Sequence, residues 1–265
     1  MNSDHKKYIY LNKQLWNAWS TNHTNSDFYD VEGFKKGAHS LTDIEISELG
    51  EEVNGRTMLH LQCHFGLDTL SWERLGDIPT GVDFSENSIH TAWKLNMHSQ
   101  FILSDIYDLK SRLEKRFDVV FTSYGMLFWL PDLKSWAEII YHFLKPGATF
   151  YMVEFHPFLD ILVDELKETP NGYFGSNEPV RYHLTGTYAA PDADITADEY
   201  RWKHPVGNII SSLTRAGLQI RFFHEFNYCA YPVYPGMIRI SNGKYVIRDF
   251  TDKIPYMFSI MAVKL

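Results

Sequence analysis

Residues 58–69 read MLHLQCHFGLDT, and this stretch decides the fold class. An apolar run, a short turn ending in Gly66 and a helical pattern predict the first strand, turn and helix of a nucleotide-binding α/β sheet. A turn that holds a pyrophosphate carries the glycines of G-x-G-x-x-G, because its backbone amides must approach the phosphates closely. Here the turn is Gln62-Cys63-His64-Phe65-Gly66 and has one glycine. It therefore favours a nucleoside ligand without phosphates.

Strand and helix patterns alternate after this turn. The predicted strands are TMLHLQ (57–62), PTGVDF (79–84), SQFILSDI (99–106), FDVVFTSY (117–124) and ATFYMVEF (148–155). Helical patterns follow the first, second and fourth strands, and Lys145-Pro146-Gly147 is predicted to end the helix before the fifth strand. Such alternation predicts an α/β fold whose parallel sheet has helices on both faces.

The whole chain, 1–265, is predicted to be a single domain. Residues 1–50 are mostly helical in pattern, and residues 51–157 form the cofactor-binding half. The strand and helix rhythm stops in 158–205, which we interpret as an insertion that acts as a lid. It resumes in 206–265, which completes the sheet.

Composition narrows the classes of partner. The net charge of −8 and the absence of a Lys/Arg cluster argue against nucleic acid. No apolar run is long enough for a signal peptide or a membrane span. Cys63 and Cys229 form neither a metal-type spacing nor a disulfide framework, and the 12 histidines are scattered. We therefore expect a cytoplasmic protein without a metal or a membrane partner.

Two acids stand where strands of the predicted sheet end. Asp83 lies at the end of the second strand, where a carboxylate can accept hydrogen bonds from a ribose diol. Asp105 follows the third strand and could accept from the exocyclic amine of adenine, although Asp108 is an alternative for that role. Together these acids predict an adenosine pocket.

Five blocks in order resemble a class I S-adenosylmethionine-dependent methyltransferase of the small-molecule branch. They are LHLQCHFGLDT, GVDFS, SDIYDL, FDVVFTSYGMLFWLPDL and FLKPGATFYMVEFHP. The similar run covers roughly residues 55–157 and resumes from about 206 to the end. The resemblance implies a Rossmann-like, seven-stranded, mostly parallel sheet. It also implies methyl transfer from S-adenosylmethionine to a small-molecule acceptor by in-line displacement, with S-adenosylhomocysteine as product.

The resemblance also implies a set of cofactor-binding residues. They are Tyr29, Gln62, Cys63, His64, Phe65, Gly66, Asp83, Phe84, Ser104, Asp105, Ile106, Ser123 and Tyr124. The chain departs from the family at the first motif, where Asp/Glu-x-Gly-x-Gly-x-Gly is here His60-x-Gln62-x-His64-x-Gly66. The acid that helps to orient the amino end of the cofactor in the family is a histidine here, and two of three glycines are replaced.

Methyl transfer needs a general base only when the acceptor must lose a proton. The predicted catalytic residues are His156, at the end of the fifth strand, and Tyr124, with His183 and His204 in the insertion as further candidates. The many Tyr, Phe and His residues of the later segments suit an amine or a planar aromatic acceptor. We expect a monomer or a homodimer.

Two other functions share parts of this pattern. A nicotinamide-dependent oxidoreductase has the same sheet and an acid after the second strand, but the missing glycines disfavour it. A non-catalytic protein that binds S-adenosylmethionine or S-adenosylhomocysteine is compatible with the altered motif. The long insertion over the predicted cleft favours an enzyme.

Overall fold

The computed structural model describes residues 3–95, 98–165, 172–234, 236–241 and 243–265. The α-helices in these ranges are α1 (Ser3–His23), α2 (Val31–Lys35), α3 (Asp43–Val53), α4 (Leu67–Arg74), α5 (Glu86–Leu95), α6 (Leu133–Phe143), α7 (Phe158–Glu165) and α8 (Val206–Arg215). Short 3-10 helices span Ile106–Ser111, Leu127–Trp129 and Arg248–Phe250. The predicted N-terminal helical segment is thus present as α1 to α3.

The strands are β1 (Thr57–Leu61), β2 (Ile78–Asp83), β3 (Gln100–Leu103), β4 (Phe117–Ser123), β5 (Leu144–Phe155), β6 (Val180–Thr185), β7 (Thr196–Arg201), β8 (Leu218–Phe226), β9 (Met237–Ser241), β10 (Lys244–Ile247) and β11 (Met257–Lys264). Seven of them form one sheet in the order β3-β2-β1-β4-β5-β11-β8. The strands from β3 to β5 pair in parallel, and β11 runs antiparallel to both its neighbours. The predicted seven-stranded, mostly parallel sheet is confirmed.

Alternate residues of the central strands face two separate cores. Leu59 of β1 belongs to a buried cluster with residues of α6 and α8. Met58, one residue earlier, packs in a second cluster with residues of α3 and with Trp72 of α4. Since successive side chains of a strand point to opposite faces, helices cover both faces of the sheet.

The strand five boundary differs from the prediction. The helix α6 ends at Phe143 and β5 begins at the next residue, so Lys145-Pro146-Gly147 lies inside the strand instead of forming a separate turn. Leu144 is fully buried and pairs with Phe117, and the register then shifts to Val119 opposite Thr149. Burial of Leu144 thus draws the chain into the sheet before the proline and glycine are reached.

The segment 158–205 contains regular structure that was not predicted. It holds α7 and an antiparallel hairpin of β6 and β7; its residues 166–171 lie outside the described ranges. Asn12 of α1 joins this hairpin to the N-terminal segment, because its side chain donates to Tyr200 O (2.8 Å) and accepts from Tyr200 N (3.0 Å). A second hairpin, β9 and β10, follows in the segment that the sequence pattern left irregular.

Candidate functional site

A cavity of about 490 Å³ opens at the carboxyl ends of β1 to β5. Its walls also include residues of α1, of α7 and of the segments around β7 and residue 231. Apart from the further candidate His183, the residues predicted to bind the cofactor or to act in catalysis line it: Tyr29, Gln62, Cys63, His64, Phe65, Gly66, Asp83, Phe84, Ser104, Asp105, Ile106, Ser123, Tyr124, His156 and His204. The structure therefore brings together side chains that the sequence placed on separate strand ends.

The first turn keeps a backbone conformation that suits glycine although two glycines are absent. Gln62 has φ 57°, His64 has φ 52° and Gly66 has φ 82°. Left-handed backbone costs a residue with a Cβ atom roughly 1–2 kcal/mol. The replacing side chains make contacts that oppose this cost: Gln62 Nε2 donates to Met126 O (3.3 Å), and the imidazole of His64 lies 4.2 Å from the Phe65 ring centroid.

Asp83 is buried at the end of β2 and fixes the turn. Its Oδ2 accepts from His64 N (2.9 Å) and its Oδ1 accepts from Ser85 N (2.8 Å). Burial raises the pKa of Asp83 to about 7, although the backbone hydrogen bonds oppose the rise. The amide of Ser88 donates to Ser85 Oγ (3.2 Å), so Ser85 caps α5 and leaves Asp83 facing the cavity.

His60 occupies the position of the family acid and is a core residue. It is buried, its Nδ1 lies 2.8 Å from Thr69 Oγ1, and its ring packs on Phe121. Burial lowers the pKa of His60 to about 3, so the imidazole is neutral at physiological pH. Cys63 is buried in an apolar cluster and packs there as a small hydrophobic residue, although it also lines the cavity.

Asp105 and Asp108, the two acids that follow β3, differ in their exposure to solvent. Asp105 lines the cavity, and its Oδ1 accepts from Tyr107 N (2.9 Å) at the start of a 3-10 helix. Burial raises the pKa of Asp105. Asp108 is exposed and lies outside the cavity lining. Of the two alternatives, the structure favours Asp105 as the acid available to a ligand.

Two carboxyl groups near the end of β4 were not predicted: Glu45 is fully buried and Asp68 is half-buried. Ser123 Oγ donates to Asp68 Oδ2 (3.0 Å), and Tyr124 Oη donates to Glu45 Oε2 (2.7 Å). Burial, and secondarily the charge of Asp68, raises the pKa of Glu45 to about 8. The sequence signals were weak: Asp68 stands in the quoted stretch as an ordinary first-turn acid, and Glu45 closes a capping box with Thr42 on α3.

The candidate general bases are histidines that differ in whether a ring nitrogen is left without a protein partner. His156 accepts from Phe158 N at Nδ1 (3.1 Å) and places Nε2 at 3.3 Å from Glu225 Oε1, so both nitrogens face protein atoms. His204 also lines the cavity and donates from Nε2 to Leu130 O (2.7 Å), which leaves the lone pair on Nδ1. Burial lowers the pKa of both imidazoles to about 4. His183 is exposed on β6, paired with Asp198, outside the cavity lining.

Aromatic rings close the side of the cavity next to α1. The ring of Trp16 lies 5.1 Å from that of His64 and 5.4 Å from that of Trp129. The hydroxyls of Tyr29 and Tyr188 form a hydrogen bond that joins the N-terminal segment to the segment 158–205. The N-terminal segment is thus one wall of the cavity.

A cationic side chain stands on the far side of the cavity. Arg201 of β7 forms an ion pair with Glu199 (2.6 Å) and lies over the Phe128 ring at 4.6 Å. Within the described ranges, no three His, Cys, Asp or Glu side chains gather as a metal ion would require. No helix of those ranges is long and apolar enough to cross a bilayer.

Comparison with known proteins shows which proteins this chain is similar to. Residues 59–152 match the family model of a methyltransferase domain. A ubiquinone biosynthesis O-methyltransferase from Pasteurella multocida (strain Pm70) is 26% identical over 140 residues, which are 47% of this chain and 57% of the relative. The chain thus spans a little over half the length of this curated relative.

Solved structures share the fold. A protein from Listeria monocytogenes, described as a candidate S-adenosylmethionine-dependent methyltransferase, aligns with a TM-score of 0.59 at 20% identity, over 83% of this chain and 98% of its own. The glycopeptide N-methyltransferase MtfA in complex with S-adenosylmethionine aligns with a TM-score of 0.54 at 17% identity, over 90% and 91% of the two chains. Residues 59–152 thus match a methyltransferase domain, and the chain shares the fold of solved S-adenosylmethionine-dependent methyltransferases.

Proposed function

We propose that the protein transfers a methyl group from S-adenosylmethionine to a small-molecule acceptor by in-line displacement. The observation that supports this most is the single cavity that joins the turn after β1 to the ends of β2, β3, β4 and β5. A nucleoside bound at one end of such a cavity leaves the other end for an acceptor. The name of the solved complex that shares this fold includes the same cofactor.

The cofactor is proposed to lie across the strand ends with its adenosine toward β2 and β3. Asp83 accepts from the ribose hydroxyls, since each of its oxygens has a free lone pair beyond its backbone bond. Asp105 and Ile106 contact the adenine, and Phe84 packs on the purine. Ser104 and the turn from Gln62 to Gly66 complete this part of the pocket.

The acceptor is proposed to bind on the side of β5 and β7. In-line displacement requires the nucleophile to be held about 3–3.5 Å from the methyl carbon in a site that excludes water. The aromatic wall and the segment 158–205 enclose the cavity in a way that suits this requirement. The relatives' names point to both oxygen and nitrogen acceptors, and neither is favoured by a contact of this chain.

A base is proposed only for an acceptor that must lose a proton. His204 then suits the role better than His156, because His156 already accepts a backbone N–H at Nδ1. Tyr124 donates to Glu45, and burial holds its pKa well above its usual value, so it suits orientation of the acceptor more than proton removal.

Calorimetric titration of S-adenosylhomocysteine into wild type, Asp83→Ala and the control Asp108→Ala tests the cofactor. Micromolar binding to wild type and to the control is expected, with a loss on the order of 2–3 kcal/mol in Asp83→Ala. If wild type binds no S-adenosylhomocysteine, the proposal is wrong. Binding without methyl transfer to any of a panel of hydroxyl, amine and thiol acceptors would favour the non-catalytic alternative.

A further inference from the structure

Asp68 is a cavity-lining acid that does not serve its own helix. It stands in the first turn of α4, where an acid commonly accepts from backbone amides of that turn. Its two oxygens instead accept from side chains of other elements: Oδ1 from Ser40 Oγ (2.5 Å) and Oδ2 from Ser123 Oγ (3.0 Å). The carboxylate is therefore held across the cavity between the N-terminal segment and the end of β4.

This carboxylate has no cationic partner in the described part of the chain. Its hydrogen-bond partners are the neutral hydroxyls of two serines. Its negative charge raises the pKa of Glu45, whose carboxyl group is buried. Burial raises the pKa of Asp68 itself. A half-buried carboxylate whose partners are all neutral is unfavourable, and a positive group of a ligand would relieve this.

Its place in the sheet indicates which part of a ligand it meets. Asp83 and Asp105 follow β2 and β3, on one side of β1. Asp68 is bonded to Ser123 at the end of β4, the neighbour of β1 on the other side. A nucleoside that has its ribose at Asp83 and its base at Asp105 therefore extends its 5′ substituent toward Asp68.

The other acids that line this part of the cavity are held more strongly, by several backbone amides or by a cation. Glu154 accepts from the backbone amides of Gly125, Met126 (2.8 Å) and Leu127 (3.1 Å). Asp160 is paired with Lys203 on the side of α7. Asp68 is thus the carboxylate most open to a new cation at the β4 end.

Resting on the proposed function, we propose that Asp68 is the counter-ion of the α-ammonium group of the cofactor's amino-acid tail. The hydroxyls of Ser40 and Ser123 hold the carboxylate in place, and the ammonium donates to its remaining lone pairs. The neutral imidazole of His60 cannot do this, because it is buried and engaged with Thr69. The interaction is ionic and involves no covalent step.

The test compares three ligands on wild type and Asp68→Asn by calorimetry at pH 7. They are S-adenosylhomocysteine, its analogue without the amino group, and 5′-methylthioadenosine. Asn keeps the shape and the acceptor oxygen, so the variant is expected to fold, which its thermal unfolding checks. We expect Asp68→Asn to bind S-adenosylhomocysteine about 10- to 100-fold more weakly, and the two ligands without an ammonium with a change of less than about threefold.

If Asp68→Asn does not fold, the ligand affinities of wild type alone still test the proposal. Wild type should prefer S-adenosylhomocysteine to the deaminated analogue by about tenfold or more. Equal affinities would overturn the assignment, and so would an equal loss for all three ligands in Asp68→Asn, which would indicate a role in cavity shape. Loss of turnover with unchanged affinity would indicate a base instead.

The two proposals fail in different ways. If 5′-methylthioadenosine binds wild type and is lost in Asp83→Ala, the nucleoside site stands whatever Asp68 does. If wild type binds none of the three ligands, the proposed function is wrong, and the assignment of Asp68 falls with it.

Discussion

The carboxylate of Asp83 accepts a hydrogen bond from the backbone amide of His64 across 2.9 Å. This bond joins the end of β2 to the first turn and holds His64 at a left-handed φ of 52°. The acid after the second strand therefore has two tasks: it fixes the turn and it faces the cavity. A turn held in this way can keep its conformation after two of its glycines have been replaced.

Gly66 is the position of the turn where glycine is required on two counts. It has φ 82°, and a Cβ atom there would lie 2.6 Å from the Phe101 ring. Gly55 has a similar φ of 73° but open space around it, so Gly55→Ala measures backbone strain alone. We expect Gly55→Ala to lower the free energy of unfolding by about 1–2 kcal/mol. Gly66→Ala should lose a further 1–3 kcal/mol or so through overpacking.

Urea denaturation of the two variants and wild type measures this difference. An equal loss in both variants would mean that the Phe101 ring moves aside, and that strain alone accounts for the glycine.

The sheet could be predicted from the sequence because each central strand is a short apolar run between helical patterns. Strands buried on both faces lack the alternation of half-exposed strands, and the runs ending at Asp83 and Ser123 show this plainly. The strand five boundary could not be predicted, because local turn preference indicated a break at Lys145-Pro146-Gly147 while burial of Leu144 decided the outcome. The hairpin of β6 and β7 was missed for a different reason: Val180–Thr185 alternates apolar and polar residues as a half-exposed strand does, but its partner Thr196–Arg201 does not.

Asn12 fastens the hairpin of β6 and β7 to α1. Its amide exchanges two hydrogen bonds with the backbone of Tyr200 and is 1% exposed. Asn12→Ala leaves two backbone groups without partners, so we expect the free energy of unfolding to fall by about 1–3 kcal/mol. Asn22→Ala is the control, because Asn22 bonds only within α1 to Ala18 O. Similar losses in the two variants, by thermal or chemical unfolding, would contradict this role.

Asp105 should determine the preference for an amino-substituted purine. If its carboxylate accepts from the adenine amine, Asp105→Asn should weaken binding of S-adenosylhomocysteine by about tenfold, since a charged acceptor becomes neutral. Binding of the inosine analogue, which lacks the amine, should change little. Asp108→Asn, altered at an exposed site outside the cavity, is the control for charge. Calorimetry with both ligands checks this, and an equal loss for both would remove Asp105 from base recognition.

The strand-end residues of the site could be predicted because a parallel sheet brings the carboxyl ends of its strands to one edge. Asp68 and Glu45 could not, because their roles depend on contacts with Ser123 and Tyr124, which lie 55 and 79 residues away along the chain. A single acid in the first turn of a helix has the same local sequence pattern whether it caps that helix or faces a cavity. Only the packing of α3 and α4 against the sheet distinguishes these two roles.

The buried carboxyl group of Glu45 gives the last prediction. Its pKa is raised to about 8 from an ordinary value of 4.5, chiefly by burial. Between these values the unfolded chain loses the proton while the folded protein keeps it. The folded state therefore binds more protons, and the contribution of Glu45 to stability is lost as the pH rises from about 4.5 through 8.

Glu45→Gln removes this titration and keeps an acceptor for Tyr124 Oη. We expect the variant to gain stability relative to wild type as the pH is raised from 5 to 8, by at most about 1.4 kcal/mol per pH unit. Urea unfolding at several pH values measures the difference, with Glu138→Gln on the exposed face of α6 as the control. Groups that are not coupled to Glu45 titrate equally in wild type and variant, so they cancel in this difference. If the two curves of unfolding free energy against pH run parallel, Glu45 is ionised in the folded protein. Neither burial nor the charge of Asp68 then raises its pKa.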